Sequence, residues 1–165
     1  MTVSNEWSQL SEGQRNLINA LQTELPIRVG AIAKGLGIKV KTATLPAGIS
    51  GEIKETDGIV TIKINRHDVK SRQRFTLSHE IAHFLLHKHL IGNGIRDDVL
   101  YRSSLSDAIE AEANRLAADL LMPYQLIQAC ICQHSRELKG EALYEKVSFV
   151  ADVSPTALKI RLGKN

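Results

Sequence analysis

Arg74-Phe75-Thr76-Leu77-Ser78-His79-Glu80-Ile81-Ala82-His83-Phe84-Leu85-Leu86-His87 decides how this chain is read. It sets His-Glu-x-x-His inside an apolar run with helical spacing. Residues four apart share a helix face, so His79 and His83 can aim both imidazoles at one ion, about one turn or ~6 Å apart. Glu80 is rotated off that pair, where it can reach water rather than the ion. Two ligands, a general base and an open coordination position are the parts of a zinc peptidase. Phe75, Leu77, Ile81, Phe84 and Leu85 put apolar residues on most sides of the helix. Two histidines and a glutamate buried there are costly unless a metal satisfies them. A helix with solvated His and Glu is the bland alternative.

A third ligand must come from elsewhere. A ligand at His89 would need a glycine at position 86 to break the helix, and position 86 is Leu86. If the helix continues, His89 lies about 240° around and ~9 Å along from His83, and His87 is ~12 Å along the axis from His79. Both are expected to be surface histidines near the helix end, where a partly protonated imidazole suits the dipole. The better source is Glu110-Ala111-Glu112-Ala113-Asn114-Arg115-Leu116-Ala117-Ala118-Asp119-Leu120-Leu121-Met122-Pro123. Ser104 with Asp107 is a candidate capping box for this second helix, and Pro123 ends it. Its apolar face runs Ile109, Ala113, Leu116, Ala117, Leu120. Glu112 borders that face and is the expected ligand. Glu110 points elsewhere and stands as the alternative. On spacing alone, either glutamate is as well explained as a solvated helix acid.

The stretch 72–83 together with 112–123 resembles the ImmA/IrrE family of bacterial and phage metallopeptidases, a gluzincin-like group with the His-Glu-x-x-His signature. The likeness extends over 26–162. Residues 26–40 resemble the segment before the family's small sheet, and 147–162 its C-terminal helical pair. The resemblance implies a metal held by His79, His83 and the glutamate before Ala-Asn, Glu112. It also implies cleavage of helix-turn-helix transcriptional repressors, so that the substrate would be a repressor encoded nearby in a phage, mobile-element or stress switch. Relatives often carry an N-terminal helix-turn-helix domain; the segment before 26 is too short for one, so a stand-alone peptidase is expected.

Composition fits this reading. The 165 residues are 43% hydrophobic and only 4% aromatic, so an aliphatic core is expected. A net charge of +3 is too mild to argue for direct nucleic-acid binding. There is no apolar run of ~18 residues and no apolar signal core at the N-terminus, so a cytoplasmic location without membrane contact is expected. Cys130 and Cys132 are too close for an ordinary disulfide. With His134 they form Cys-x-Cys-x-His, but 124–138 reads as helix, where alternate residues diverge by about 200°.

The expected fold is α+β: mostly helical, with a small three-stranded antiparallel sheet packed by the metal helix in a zincin-like core. Strands are expected at 38–44, 50–55 and 59–64, with Asp57-Gly58 turning a hairpin. An exposed sheet edge could hold an extended peptide. The metal helix is expected over 69–87, with Arg72 or Arg74 pairing with a distant carboxylate. Residues 90–103 read as a loop overhanging the cleft, with Tyr101 and Arg102 as candidates for substrate or oxyanion binding. The expected organisation is an N-terminal tail and helix (1–25), a metallopeptidase domain (26–138) and a helix-turn-helix-like C-terminal module (139–165) packed on the same domain. In the expected chemistry His79, His83 and Glu112 hold Zn²⁺, with Mn²⁺ and Fe²⁺ left open, and Glu80 passes a proton from water to the leaving amine. The rivals are a non-cleaving metal-dependent regulator and a DNA-binding regulator. Oligomeric state is not readable.

Overall fold

A computed structural model describes residues 2–92, 94–98 and 105–164. In chain order the elements are α1 (Asn5–Ser8), α2 (Glu12–Leu21), α3 (Val29–Gly35), β1 (Lys39–Ala43), β2 (Ile49–Thr56), β3 (Ile59–Asn65), α4 (Lys70–Leu86), α5 (Lys88–Ile91), β4 (Ile95–Asp98), α6 (Asp107–Leu121), α7 (Tyr124–His134), α8 (Gly140–Ala151) and α9 (Pro155–Arg161). The described residues place helices and one small sheet around an aliphatic core, so the α+β class holds. None of the described helices is long and apolar enough to cross a membrane.

The sheet differs from the expected one. It has four strands in the order β1-β3-β2-β4, and it is mixed. β2 and β3 form the expected hairpin, because Asp57 and Gly58 both take positive φ (51° and 77°), the pairing a tight primed turn requires. β1 runs parallel to β3 rather than antiparallel to its chain neighbour β2. The link at 44–48 carries the chain past the end of β3 and leaves room for β3 in the middle. β4 was expected to be loop; it pairs antiparallel with β2 along the edge. Its Arg96, Asp97 and Asp98 hide the strand from a hydrophobic reading, and charge is a common protection for an edge.

α4 lies between the sheet and α6. Its residues Thr76 and Glu80 face β2 at Gly51, where a Cβ would come within 2.4 Å of Thr76 Cγ2 and 2.9 Å of Glu80 Oε1. Only glycine lets helix and strand approach that closely. Facing α6, the helix meets the buried stripe Ala113, Leu116, Ala117 and Leu120. α6 starts after Ser106, whose side chain accepts from the Ile109 N–H. This replaces the expected cap at Ser104, which lies outside the described residues.

The termini of the described chain brace this core. Ser4 donates to Asp119 Oδ2 from its N–H (2.9 Å) and its hydroxyl (2.6 Å). Arg74, at the start of α4, donates to the carbonyls of Ile27 (2.8 Å) and Asp152 (3.1 Å) and lies 3.5 Å from the Asp152 carboxylate. That ties α4 to the α8–α9 turn and supplies the distant carboxylate expected for this arginine. Ser154 caps α9, with Pro155 in its first turn. Cys130 is buried and Cys132 exposed on α7, both as free thiols.

Candidate metal centre

The spacing of α4 puts the rings of His79 and His83 side by side, with 4.6 Å between centroids, and both are fully buried. Their Nε2 atoms lie 3.1 Å apart. Two carboxylates join them. Glu110 of α6 places Oε2 3.1 Å from His79 Nε2 and Oε1 3.5 Å from His83 Nε2. Asp97 of β4 places Oδ2 3.1 Å from His79 Nε2 and 3.8 Å from His83 Nε2. One donor atom from each of His79, His83, Asp97 and Glu110 falls within 4.8 Å of all the others. Donors around a tetrahedral ion with ~2.0 Å bonds stand ~3.3 Å apart, so these separations suit a small cation such as Zn²⁺.

Hydrogen bonding on the outer sides of the rings says which nitrogens face inward. His79 Nδ1 is 2.9 Å from Asn114 Oδ1. The amide oxygen accepts, so Nδ1 carries the proton and Nε2 is left for the cluster. Glu110 and Asn114, four apart on α6, thus grip the same imidazole on its two nitrogens. Inner nitrogens this close repel unless a positive charge, proton or metal, sits with them.

The carboxylate brought to the imidazole pair is therefore Glu110, and the expectation for Glu112 is corrected. Glu112 Oε2 instead lies 2.9 Å from His87 Nε2, with its side chain 38% exposed. The helical stripe explains the difference: stepping back from Leu120 through Ala117 and Ala113 by three or four residues lands on Glu110, not Glu112. The expectation that His87 is a surface residue is also corrected. It is 5% exposed, and its Nδ1 lies 3.0 Å from His83 Nδ1. α4 stops at Leu86, and the non-helical backbone of His87 (φ −126°, ψ 28°) turns its ring back under His83. His89 is exposed, as expected. Tyr101 and Arg102 lie outside the described residues. Asp97 was missed because no local pattern marks β4. Once the strand is known, Ile95 and Asp97 share its inward face by alternation.

Glu80 sits on the sheet side of the cluster, fully buried, and neither of its oxygens has a hydrogen-bond partner among the described residues. The same holds for Asp97, whose 3.1 Å approach to His79 has the distance of an ion pair without the alignment of a hydrogen bond. Desolvation, and then the neighbouring Asp97 carboxylate, push the Glu80 carboxyl well above its usual range. Burial works against a charge on His79, but Asp97 and Glu110 outweigh it and raise its pKa to about 9. For His87 burial is the larger effect and lowers the pKa, although Glu112 opposes it. Orphaned acids beside inward-facing imidazole nitrogens form a donor set that fits a divalent ion.

A cavity of about 690 Å³ opens on another side of α4 and α6, lined by Val69, Phe75, Asn114, Met122 and Ile160 among others. It is mostly apolar and, among the described residues, meets the centre through Asn114.

Compared with known proteins, residues 33–162 match the family model Peptidase_M78, described as an IrrE N-terminal-like domain. A search of curated proteins finds no match.

Proposed function

This chain belongs to the Peptidase_M78 family, and from that premise we propose that it is a zinc-dependent endopeptidase acting at one site of a regulatory protein, of the helix-turn-helix repressor type. The observation that carries the reading is the convergence of His79, His83 and Glu110 in a buried cluster with Glu80 against it. Family membership supports a protein substrate. The repressor reading rests on the likeness of residues 72–83 and 112–123 to repressor-cleaving peptidases.

In this reading His79, His83 and Glu110 hold the ion, and Asn114 fixes the His79 ring through Nδ1. When bound, the ion supplies Lewis-acid polarisation of the scissile carbonyl and makes water more acidic. Glu80 is the base. It accepts a proton from the attacking water and returns it to the leaving nitrogen. Its environment favours holding that proton, because burial and Asp97 both raise its affinity for one. With a cation held by His79, His83 and Glu110, Glu80 would ionise more readily than burial and Asp97 alone allow.

One observation favours a second reading. Asp97 adds a fourth protein donor. A site closed by four protein donors is typical of structural metal and would suit a non-cleaving metal-dependent regulator.

The deciding experiment mixes the protein with the product of its neighbouring gene and with helix-turn-helix repressors, with and without chelator, and looks for fragments by mass spectrometry. Chelator-sensitive cleavage is expected, together with loss of cleavage by about 10²–10⁴-fold in Glu80→Gln that still binds metal. A Glu80→Gln protein that cleaves at the wild-type rate removes Glu80 from the mechanism. Metal uptake without cleavage of any repressor offered, even in Asp97→Ala, favours the regulator.

A further inference from the structure

We propose that His87 and Glu112 are positioning residues of the metal centre: Glu112 sets the tautomer of His87, and His87 sets that of His83, so that His83 turns a bare Nε2 toward the ion. The proposal rests on the metallopeptidase reading above.

The chain of contacts runs outward from the cluster. His83 Nδ1 meets His87 Nδ1 at 3.0 Å, and His87 Nε2 meets Glu112 Oε2 at 2.9 Å. The protons can be placed by elimination. A carboxylate is an acceptor only, so the short contact to Glu112 requires a proton on His87 Nε2. A neutral His87 then has a bare Nδ1, which must accept. The donor facing it is His83 Nδ1–H. Neutral His83 is thereby left with its lone pair on Nε2, the atom 3.1 Å from His79 Nε2 and 3.5 Å from Glu110 Oε1. Reversing the order would set a bare His87 Nε2 against a carboxylate and leave His83 with its proton pointing into the centre.

The arrangement also fixes the ring in space. His79 has a rigid outer partner in Asn114 of α6, whereas His83 has no such residue opposite it on that helix. His87 fills the place from the end of α4, and Glu112 of α6 anchors His87 in turn. Each imidazole is thus tied to α6 on its outer side, one directly and one through an intermediate ring. Outer partners of metal-bound histidines commonly change metal affinity by about 10–100-fold when removed.

The test measures Zn²⁺ affinity by competition with a chromophoric chelator in the wild-type chain, Glu112→Ala, Glu112→Gln, His87→Ala and the His87→Ala/Glu112→Ala double variant. His87→Ala is expected to weaken binding by about 10–100-fold. Glu112→Ala should weaken it by a factor no larger, and Glu112→Gln by less, because the amide oxygen still accepts. In the double variant Glu112→Ala should cost nothing further, since its effect passes through His87. Glu112→Ala lies at a part-exposed helical position and guards against a His87 variant that does not fold. Long-range proton–nitrogen spectra of the zinc-free protein should show His83 protonated on Nδ1 in the wild type and mixed in Glu112→Ala, a change that loss of general stability would not produce. Wild-type affinity in Glu112→Ala, or an undiminished effect of Glu112→Ala in the double variant, overturns the proposal and leaves the peptidase reading standing. A wild-type chain that takes up no ion overturns both.

Discussion

Asp119 and Asp97 are both acids buried in the same small protein, 3% and 0% exposed, and the chain treats them in opposite ways. Asp119 is surrounded by partners of its own making. One oxygen accepts two hydrogen bonds from Ser4, and the other stands 2.7 Å from Arg161 Nη2, a charge contact although its alignment is not that of a hydrogen bond. Asp97 meets only imidazoles among the described ion pairs, and Glu80 faces it as a second buried carboxyl with no aligned hydrogen-bond partner among the described residues. The first site joins α1, α6 and α9 and is complete. The second is complete only with a positive charge from outside. A buried carboxylate demands compensation in either place. Where it is supplied by Arg161 the site is structural; where only imidazoles face the acids, the cluster suggests a metal ion.

The largest effect tests the complete site. Arg161→Ala strips Asp119 of its cation while Ser4 remains, leaving a buried charge half satisfied. The protein should lose about 3–5 kcal/mol of stability in urea unfolding. The complementary change at the other site has the opposite sign. The folded-state pKa of Glu80 is raised, so its ionisation opposes folding, increasingly as pH rises above the ordinary carboxylate value of 4.5. Glu80→Gln removes that cost. The metal-free variant should be more stable than the metal-free wild type at pH 7–8, on the order of 1–3 kcal/mol, with the gap closing as pH falls toward 4.5. A metal-free Glu80→Gln protein less stable than wild type would break the comparison, because Glu80 would then be acting as a satisfied structural acid.

How much of this was readable from residues follows the range of the interactions. The helix carrying His79, Glu80 and His83 was expected over 69–87 and runs Lys70–Leu86, because apolar spacing and the paired histidines lie within one element. The Asp57-Gly58 hairpin was readable for the same reason. The parallel pairing of β1 was not, since a strand's partner is not a property of the strand. Among the described strands β4 pairs with β2, and its charges Arg96 and Asp97 leave no alternation to detect. The glutamate of α6 was misplaced by two residues, although the Ala113–Ala117 stripe carried the phase that selects Glu110. His87 was placed on the surface on the assumption of a continuing helix. The helix ends one residue earlier, and that end creates the contact with His83.

A smaller effect concerns protons. In the metal-free protein His79, with its pKa near 9, holds a proton at pH 7. Its folded pKa is raised, so the stability it contributes is fully present below about pH 6.5 and disappears as pH rises through about 9. A metal ion taken up at His79 Nε2 would have to displace that proton. Calorimetric titrations in buffers of different ionisation enthalpy should show about one proton released from this ring per ion at pH 7, falling toward zero above pH 9. Uptake with no proton released at pH 7 would mean that Asp97 and Glu110 do not charge His79.

Glu6 gives the smallest and sharpest test, because it lies between the two extremes. It is 4% exposed, and its partner comes from the chain: Arg115 donates to Oε1 from Nε at 3.0 Å. Unlike Arg161, however, the Arg115 side chain is 53% exposed, whereas that of Arg161 is 8%. The hydrogen bond from Arg115 is the largest influence on Glu6 and lowers its pKa, against the opposing effect of burial. A lowered folded pKa contributes stability that is present above the ordinary value of 4.5 and is lost as pH falls through the folded one. Water screens a cation this accessible, so Glu6→Gln should cost no more than about 1 kcal/mol at pH 7, and the cost should shrink as pH drops below 4.5. Unfolding of wild type and Glu6→Gln at pH 7 and pH 3 measures both numbers. If Glu6→Gln proves as damaging as Arg161→Ala, burial of the acid alone sets the energy. The accessibility of its cation would then not matter, and the contrast between Asp119 and Asp97 would need another cause.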